Sequence, residues 1–106
     1  RSLVARAVAE LGRLDLLVNN AAYQMTREGI EKLPSEEWDK VFKTNIYAMF
    51  WLSKAAWPHL RPGSAIINTA SIQAYQPSPQ LLDYATTKGA IVTFSKALAE
   101  EGLQQG

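Results

Sequence analysis

The order of helical and strand patterns along the chain is the feature that most limits its fold. Apolar residues recur at helical spacing in residues 2–11, 36–60 and 81–101. Two short apolar runs, residues 14–18 and 64–70, lie between these helices and are typical of buried strands. Strands that alternate with long helices form parallel units with right-handed crossovers. The sequence therefore predicts an α/β fold, a fragment of a doubly wound parallel sheet in the order helix, strand, helix, strand, helix.

Residues with special backbone preferences indicate where these elements begin and end. Gly12 and Gly102 are predicted to end the first and last helices, because glycine readily adopts the left-handed conformation found there. Ser35 is predicted to cap the start of the middle helix, which has acidic residues in its first turn. Residues 22–34 and 71–80 are predicted to be loops, the first with a short turn.

Length, charge and composition narrow the class of protein. A chain of 106 residues holds one small domain with a marginal core, so we expect flanking sequence or a partner to cover part of its surface. A formal charge of +1 without a basic stripe argues against a nucleic-acid partner. The absence of cysteine excludes disulfides and thiolate metal sites. Without a targeting segment or a membrane-length apolar run, we expect a soluble, cytoplasmic protein with no membrane partner.

Polar residues follow both predicted strands. Asn19-Asn20-Ala21-Ala22 comes after the first strand, and Ser71 comes after the second. Open parallel sheets bind ligands beyond the carboxyl ends of their strands, and small residues let a ligand approach the backbone closely. The asparagines either border such a ligand or only terminate the strand, and this cluster alone does not decide between the two.

Tyr84 and Lys88 stand four residues apart near the start of the last helix, so their side chains share one face. A phenol ordinarily has a pKa of about 10, too high for efficient proton transfer near neutrality, and a nearby ammonium favours the phenolate. The pair is therefore a candidate acid/base, with an aromatic ring stacked on a lysine stem as the alternative. Ser71 is a candidate donor to the same substrate oxygen, or else a hydroxyl that bonds its own turn.

Asn45 lies inside the middle helix, where asparagine is a mediocre helix former. In its functional interpretation, the backbone or side chain of Asn45 holds a water molecule through which protons pass. Its other interpretation is a polar residue that is solvated or bonded to a neighbour.

These residues together resemble the classical short-chain dehydrogenase/reductase family, in order and spacing, over essentially the whole chain. The matching motifs are Leu17-Val18-Asn19-Asn20-Ala21-Ala22, Thr44-Asn45, Ser71 and Tyr84-x-x-x-Lys88. The resemblance implies a Rossmann-like fold and an oxidoreductase. The implied reaction transfers a hydride between NAD or NADP and a small carbonyl or alcohol substrate.

The resemblance also implies a role for each matching residue. Tyr84 would be the general acid/base, Lys88 would bind the nicotinamide ribose and make the tyrosine more acidic, and Ser71 would orient the substrate. Asn45 would hold a water of a proton relay. The residues bordering the cofactor would be Asn20, Ala21, Ala22, Tyr84 and Lys88.

The chain departs from the family pattern in two ways. Ala22 stands where the family usually has glycine, which adds one methyl group on the cofactor side. The glycine-rich loop that holds the cofactor phosphates does not occur in residues 1–106. We therefore expect residues 1–106 to be one partial Rossmann-like domain, without the N-terminal phosphate-binding unit and the C-terminal strands. The intact protein would be more than twice as long, and the isolated chain would be inactive.

The middle and last helices are apolar nearly all round, which predicts burial on more than one side. Gly89 within the last helix suggests close packing. We expect a homodimer or homotetramer formed through helices 36–60 and 81–101, as the resemblance also implies. The alternative is that a larger monomer covers these faces with its own core.

The sequence leaves the roles of several other residues, the alternative functions and the choice of cofactor undecided. Asp83 is predicted to be a first-turn anion that points away from Tyr84. The loop residues Tyr23, Gln24, Gln73, Tyr75 and Gln76 are candidates for substrate contact. The alternatives to a dehydrogenase are an extended-type epimerase or dehydratase and a non-catalytic interaction or assembly module derived from such an enzyme. The substrate and the choice between NAD and NADP are not determined.

Overall fold

The computed structural model of the chain describes residues 2–26 and 28–106. The helices and strands follow one another as α1 Ser2–Leu11, β1 Leu16–Asn19, α2 Ser35–Phe42, α3 Ala48–Ala56, β2 Ala65–Asn68 and α4 Leu82–Leu103. A π-helical segment, Lys43–Tyr47, joins α2 to α3 without a break in the right-handed helical backbone. Short 3₁₀ turns occupy Ile30–Lys32, Trp57–His59, Ile72–Ala74 and Pro79–Leu81. The predicted alternation of helices and strands is confirmed.

The two strands pair in parallel, in a register that runs from Leu16 opposite Ala65 to Asn19 opposite Asn68. This confirms the predicted parallel sheet and its helical crossover. Asn19 is the last residue of β1 rather than part of a turn after it, so that prediction is wrong for Asn19. Its side chain finds partners on the neighbouring strand and helix, and these outweigh the low strand preference of asparagine.

Both helices that follow the strands lie on the same face of the sheet. The Asn19 Nδ2 atom lies 3.4 Å from Ser53 Oγ on α3, and Asn68 Nδ2 donates to Ser95 Oγ on α4 over 2.9 Å. Residues at alternate positions point to the opposite face, where Leu16, Val18 and Ile67 are 51%, 51% and 50% exposed. Within residues 2–26 and 28–106, nothing covers that apolar face.

Of three helix ends predicted from the sequence, the structure has one as predicted and two that differ. Gly12 has a φ of 86° and its N–H donates to Val8 O, which confirms the predicted end of α1. Ser35 is the first helical residue rather than the cap, because the extended Pro34 occupies the cap position and its carbonyl accepts from Glu37 N. Gly102 lies inside α4, so its predicted role as a terminator is wrong. A Cβ there would lie 3.8 Å from Trp57 Cη2, so this glycine packs near that ring.

Buried polar residues are nearly as numerous as buried apolar ones in the described part of the chain. The buried apolar residues are Val4, Val41, Met49, Ala56, Ala85 and Ile91, and the buried polar ones are Asn45, Ser53, Asp83, Thr87 and Lys88. Gly89 does not mark close packing within this chain, because a Cβ there would meet nothing within 4 Å. No helix in the described ranges is long and apolar enough to cross a membrane.

Candidate active site

The π-helical segment places Asn45 at the centre of the site. The Ala48 N–H bonds to Lys43 O, five residues back, which is the pattern of a π-helix, and such segments are frequent at functional sites. Asn45 is only 3% exposed. Its Oδ1 accepts from Tyr23 N over 2.9 Å, and its Nδ2 donates to Thr87 Oγ1 over 2.9 Å. The side chain thus ties the middle helix to the loop after β1 and to α4.

Lys88 is buried beside the end of β2. It is 2% exposed, and its Nζ donates to the Thr69 carbonyl over 2.9 Å. Burial lowers the pKa of the Lys88 ammonium below the usual value for a lysine. Thr69 is itself held by β1, because its N–H donates to Asn19 O and its Oγ1 donates to Asn20 Oδ1 over 2.9 Å. The strand ends therefore fix the position of the ammonium.

Tyr84 stands in the first turn of α4 and is partly exposed. The Lys88 Nζ lies 5.4 Å from the centroid of the Tyr84 ring, on the shared face that the spacing of four residues predicts. In the part of the chain that the structure describes, the Tyr84 hydroxyl has no hydrogen-bond partner. The ring is therefore placed against a cation, and its hydroxyl is left available.

Ser71 follows β2 in extended conformation, with φ −157° and ψ 158°. Its Oγ accepts from Gln73 N over 3.2 Å, so the turn-bonding alternative from the sequence analysis is present in the structure. The 3₁₀ turn that begins after Ser71 packs against α4. Ser71 and Tyr84 are thus carried by two elements that contact each other.

A cavity of about 80 Å³ lies beyond the carboxyl ends of the strands. Asn20, Ala21, Asn45 and Thr69 are among the residues that line it. Ala22, the remaining candidate for cofactor contact, is exposed and does not line this cavity. The cavity is polar enough, and large enough, to hold ordered water.

Two buried residues of this region were not assigned a catalytic or binding role from the sequence. Thr87 is fully buried, accepts from Asn45 and donates to the Tyr84 carbonyl over 2.7 Å. Asp83 lies in the first turn of α4 as predicted, but it is only 1% exposed. Its Oδ1 accepts from Tyr84 N, and its Oδ2 has no partner within the described ranges. The spacing of three and four residues around Tyr84 was the signal that could have identified Thr87.

Known proteins resemble this chain over its whole length. The family model for short chain dehydrogenases matches residues 1–106. An uncharacterised oxidoreductase of Schizosaccharomyces pombe is 49% identical over 106 residues, which are 100% of this chain and 37% of that protein. Glucose and ribitol dehydrogenase of Daucus carota is 43% identical over 106 residues, 100% of this chain and 36% of that protein.

The solved structures give the same result. A short chain dehydrogenase from Burkholderia cenocepacia in complex with NADP superimposes with a TM-score of 0.93 and 30% identity, over 99% of this chain and 43% of that one. This confirms the predicted Rossmann-like α/β fold. The chain spans little more than a third of the length of the curated relatives it matches.

Proposed function

The chain belongs to the short-chain dehydrogenase/reductase family, and from this premise we propose an NAD- or NADP-dependent oxidoreductase in which Tyr84 is the general acid/base. The substrate is a small molecule that carries a carbonyl or an alcohol. One observation supports the proposal most directly: a buried lysine, fixed to the end of β2, places its Nζ 5.4 Å from the centroid of the Tyr84 ring.

Lys88 places a positive charge beside Tyr84. Its ammonium is removed from solvent, so this charge is weakly screened. Tyr84 donates a proton to the carbonyl oxygen during reduction and accepts one from the alcohol during oxidation. The absence of a described partner for the Tyr84 hydroxyl agrees with a substrate-facing role.

Ser71 holds the substrate oxygen in place. Its Oγ already accepts from Gln73 N, so the hydroxyl hydrogen remains available as a donor. A hydrogen bond from Ser71 to the carbonyl oxygen stabilises the negative charge that develops there during reduction. In oxidation, the same bond holds the alcohol against Tyr84.

The edge of the sheet fits a nicotinamide cofactor. We propose that Asn20, Ala21, Ala22, Tyr84 and Lys88 border it, because the alanines present no bulk at the strand ends and Lys88 offers N–H donors to ribose hydroxyls. When bound, the nicotinamide supplies or accepts the hydride. Residues 1–106 contain no glycine-rich phosphate loop, and we propose that flanking sequence supplies one.

Asn45 completes a proton path to solvent. We propose that the cavity it lines holds a water that carries protons away from the region of Lys88 and Thr69. The π-helical segment supports this role, because its wider hydrogen bonding changes which backbone carbonyls are free to bind water.

Replacing Tyr84 tests the proposal. In the full-length protein, Tyr84→Phe should lower kcat by about 10³-fold, since a positioned acid/base contributes about 10²- to 10⁴-fold. Tyr47→Phe is the matched control, because Tyr47 is 45% exposed and has no proposed contact with substrate or cofactor, and it should leave kcat unchanged. The assay uses a panel of alcohols, sugars and aldehydes with both nicotinamide cofactors, followed by absorbance. Full activity of Tyr84→Phe would refute the assignment.

The same panel separates the two alternative functions. An epimerase or dehydratase would convert substrate without net production or loss of reduced cofactor, which chromatography of the products would detect. A non-catalytic module would convert no member of the panel. Calorimetry adds a further check, because the isolated 106 residues should not bind either cofactor tightly, whereas the full-length protein should.

We further propose a homodimer or homotetramer that associates through helices 36–60 and 81–101, which comprise α2, the π-helical segment, α3 and α4. Tyr47, Phe50 and Trp51 are each 45% exposed there. A groove of about 410 Å³ that includes Phe50, Phe94 and Leu98 separates the two helices. Exposed apolar surface of this kind marks association sites. Sedimentation of the full-length protein as a monomer would disprove this interface. Separately, cell fractionation would test the predicted cytoplasmic location.

A further inference from the structure

The first turn of the loop between β2 and α4 packs against α4, but few hydrogen bonds hold the rest of the loop in place. Its backbone hydrogen bonds are confined to the turns at its two ends, and Pro77 and Pro79 have no N–H to donate. Ile72 and Tyr75 are 68% and 70% exposed, so burial of large side chains does not fix the loop either. Ser71 nevertheless needs a defined position to orient a substrate oxygen.

One side chain joins the two ends of this loop. Gln73 Nε2 donates to Ser78 Oγ over 3.1 Å, and Gln73 Oε1 accepts from Ser78 N over 2.8 Å. The orientation of the amide follows from the chemistry, because a backbone N–H can only donate and so must face the amide oxygen. Both polar atoms of the Gln73 amide are therefore hydrogen-bonded within the protein. This argues against the prediction that Gln73 contacts the substrate.

The bonds of Gln73 connect the two proposed functional elements. At one end, its backbone N–H donates to Ser71 Oγ. At the other end, it holds Ser78, whose carbonyl accepts from Leu81 N in the 3₁₀ turn that leads into α4. Tyr84 is in the first turn of α4. A short hydrogen-bonded path thus runs from the Ser71 hydroxyl to the start of the helix that carries Tyr84.

We propose that Gln73 is a positioning residue for the reaction: its amide fixes the loop so that the Ser71 hydroxyl and Tyr84 face the same substrate oxygen. The proposal rests on the oxidoreductase function proposed above. Gln73 touches neither substrate nor cofactor. Its backbone N–H occupies an acceptor site of Ser71 Oγ and so directs the hydroxyl hydrogen elsewhere, and its side chain keeps that backbone N–H in place.

Three variants of the full-length protein test the clamp. Gln73→Met keeps the length of the side chain and removes both bonds to Ser78. Ser78→Ala removes one bond and leaves the bond from its backbone N–H. Gln73→Glu keeps both bonds, because a carboxylate accepts from Ser78 N and from the Ser78 hydroxyl. Gln80→Met is the matched control, since Gln80 is an exposed glutamine of the same loop and has no proposed role in binding.

We expect Gln73→Met to lower kcat by roughly 10- to 100-fold, the effect of a displaced reacting group. Ser78→Ala should lower it less, and the double variant should be no slower than Gln73→Met, because both changes break one clamp. Gln73→Glu should stay within about threefold of the parent protein. Cofactor Kd should change by less than about twofold in every variant, since a clamp of this loop acts only on substrate geometry.

Two outcomes would overturn the proposal. The first is a Gln73→Met protein with the kcat of the Gln80→Met control. The second is a slow Gln73→Met protein beside a Ser78→Ala protein of normal kcat, which would mean that Gln73 acts through another partner, such as the substrate. If Gln73→Met does not fold, Ser78→Ala alone decides in the same way. An inactive Tyr84→Phe protein with a normal Gln73→Met protein refutes only the clamp, whereas an active Tyr84→Phe protein refutes the proposed function.

Discussion

The two halves of the proposed site are held in different ways. The buried half consists of Asn45, Thr87 and Lys88, all at most 3% exposed and each hydrogen-bonded to another element or turn of the fold. The loop half, residues 71–78, is partly or fully exposed, and one glutamine side chain joins its two ends. The geometry of the buried half is thus a product of the whole fold, while that of the loop half has a local cause. Removing a neutral hydrogen-bonding group from the first should cost stability, and breaking the bonds of Gln73 in the second should cost turnover.

The largest expected effect on stability comes from breaking the buried half at Thr87. Thr87→Val keeps the shape of the side chain but removes the bonds to Asn45 Nδ2 and to the Tyr84 carbonyl. The free energy of unfolding should fall by about 2–3 kcal/mol, because buried donors and acceptors lose their partners. Urea unfolding of the full-length protein measures the change. Thr86→Val is the control, since Thr86 makes the same kind of bond, to Leu82 O, on the exposed side of α4.

That control should cost less than about 0.5 kcal/mol, as is usual for surface substitutions. If Thr86→Val and Thr87→Val lowered the free energy of unfolding equally, hydrogen bonds of the buried half would contribute no more to stability than those on the surface. The comparison is close, because both residues are threonines one position apart on the same helix turn.

A smaller effect of opposite sign is expected at Lys88. Lys88→Met removes a buried charge and should raise the free energy of unfolding by about 1 kcal/mol at pH 7 while abolishing activity. Because burial lowers the pKa of Lys88 in the folded protein below 10.5, the charged form is the one that burial penalises. The penalty is fully present below the folded pKa and is relieved as pH rises from there towards 10.5. The advantage of Lys88→Met should therefore shrink as pH rises.

Urea unfolding of both proteins at a series of pH values from neutral to alkaline measures this trend. An advantage that did not depend on pH would show that the desolvated ammonium is not its source. A less stable Lys88→Met protein would show that the bond to the Thr69 carbonyl outweighs the cost of burial.

The smallest effect is expected in the loop half. Tyr75→Ala removes a side chain that is 70% exposed, so the free energy of unfolding should change by less than about 0.5 kcal/mol. Thermal unfolding of the full-length protein checks it. A loss comparable with that of Thr87→Val would mean that the loop is packed as tightly as the buried half.

The sequence predicted those parts of the fold that are set by local signals. Hydrophobic periodicity identified the helices and strands, and Gly12 marked the end of α1 because its positive φ is a local requirement. Asn19 was misplaced because its partners, Ser53 and Asn68, lie 34 and 49 residues away along the chain. Gly102 was misread because it lies within α4 near the Trp57 ring, which is 45 residues away along the chain. Such contacts are not visible in any short window of sequence.

The candidate site shows the same division. The shared face of Tyr84 and Lys88 follows from their spacing, and the structure has the cation beside the ring. The catalytic roles of these residues, of Ser71 and of Asn45 stay predictions. The clamp formed by Gln73 and the bonds of Thr87 were not predicted, because a side chain's partner depends on how loops and helices pack. The π-helical hydrogen bond at Lys43 also leaves no mark in the hydrophobic pattern.

The π-helical segment Lys43–Tyr47 has a consequence for how this chain tolerates insertions and deletions. A π-helical turn holds one residue more than an α-helical turn, so losing one residue here would let the wide turn close into ordinary α-helix and leave the orientation of α3 unchanged. Ser53 would still face Asn19. A one-residue gap elsewhere in α2 or α3 would instead rotate all that follows by about 100° around the helix axis, so this segment is the place in the helix where an evolutionary lineage can lose a residue at the smallest structural cost.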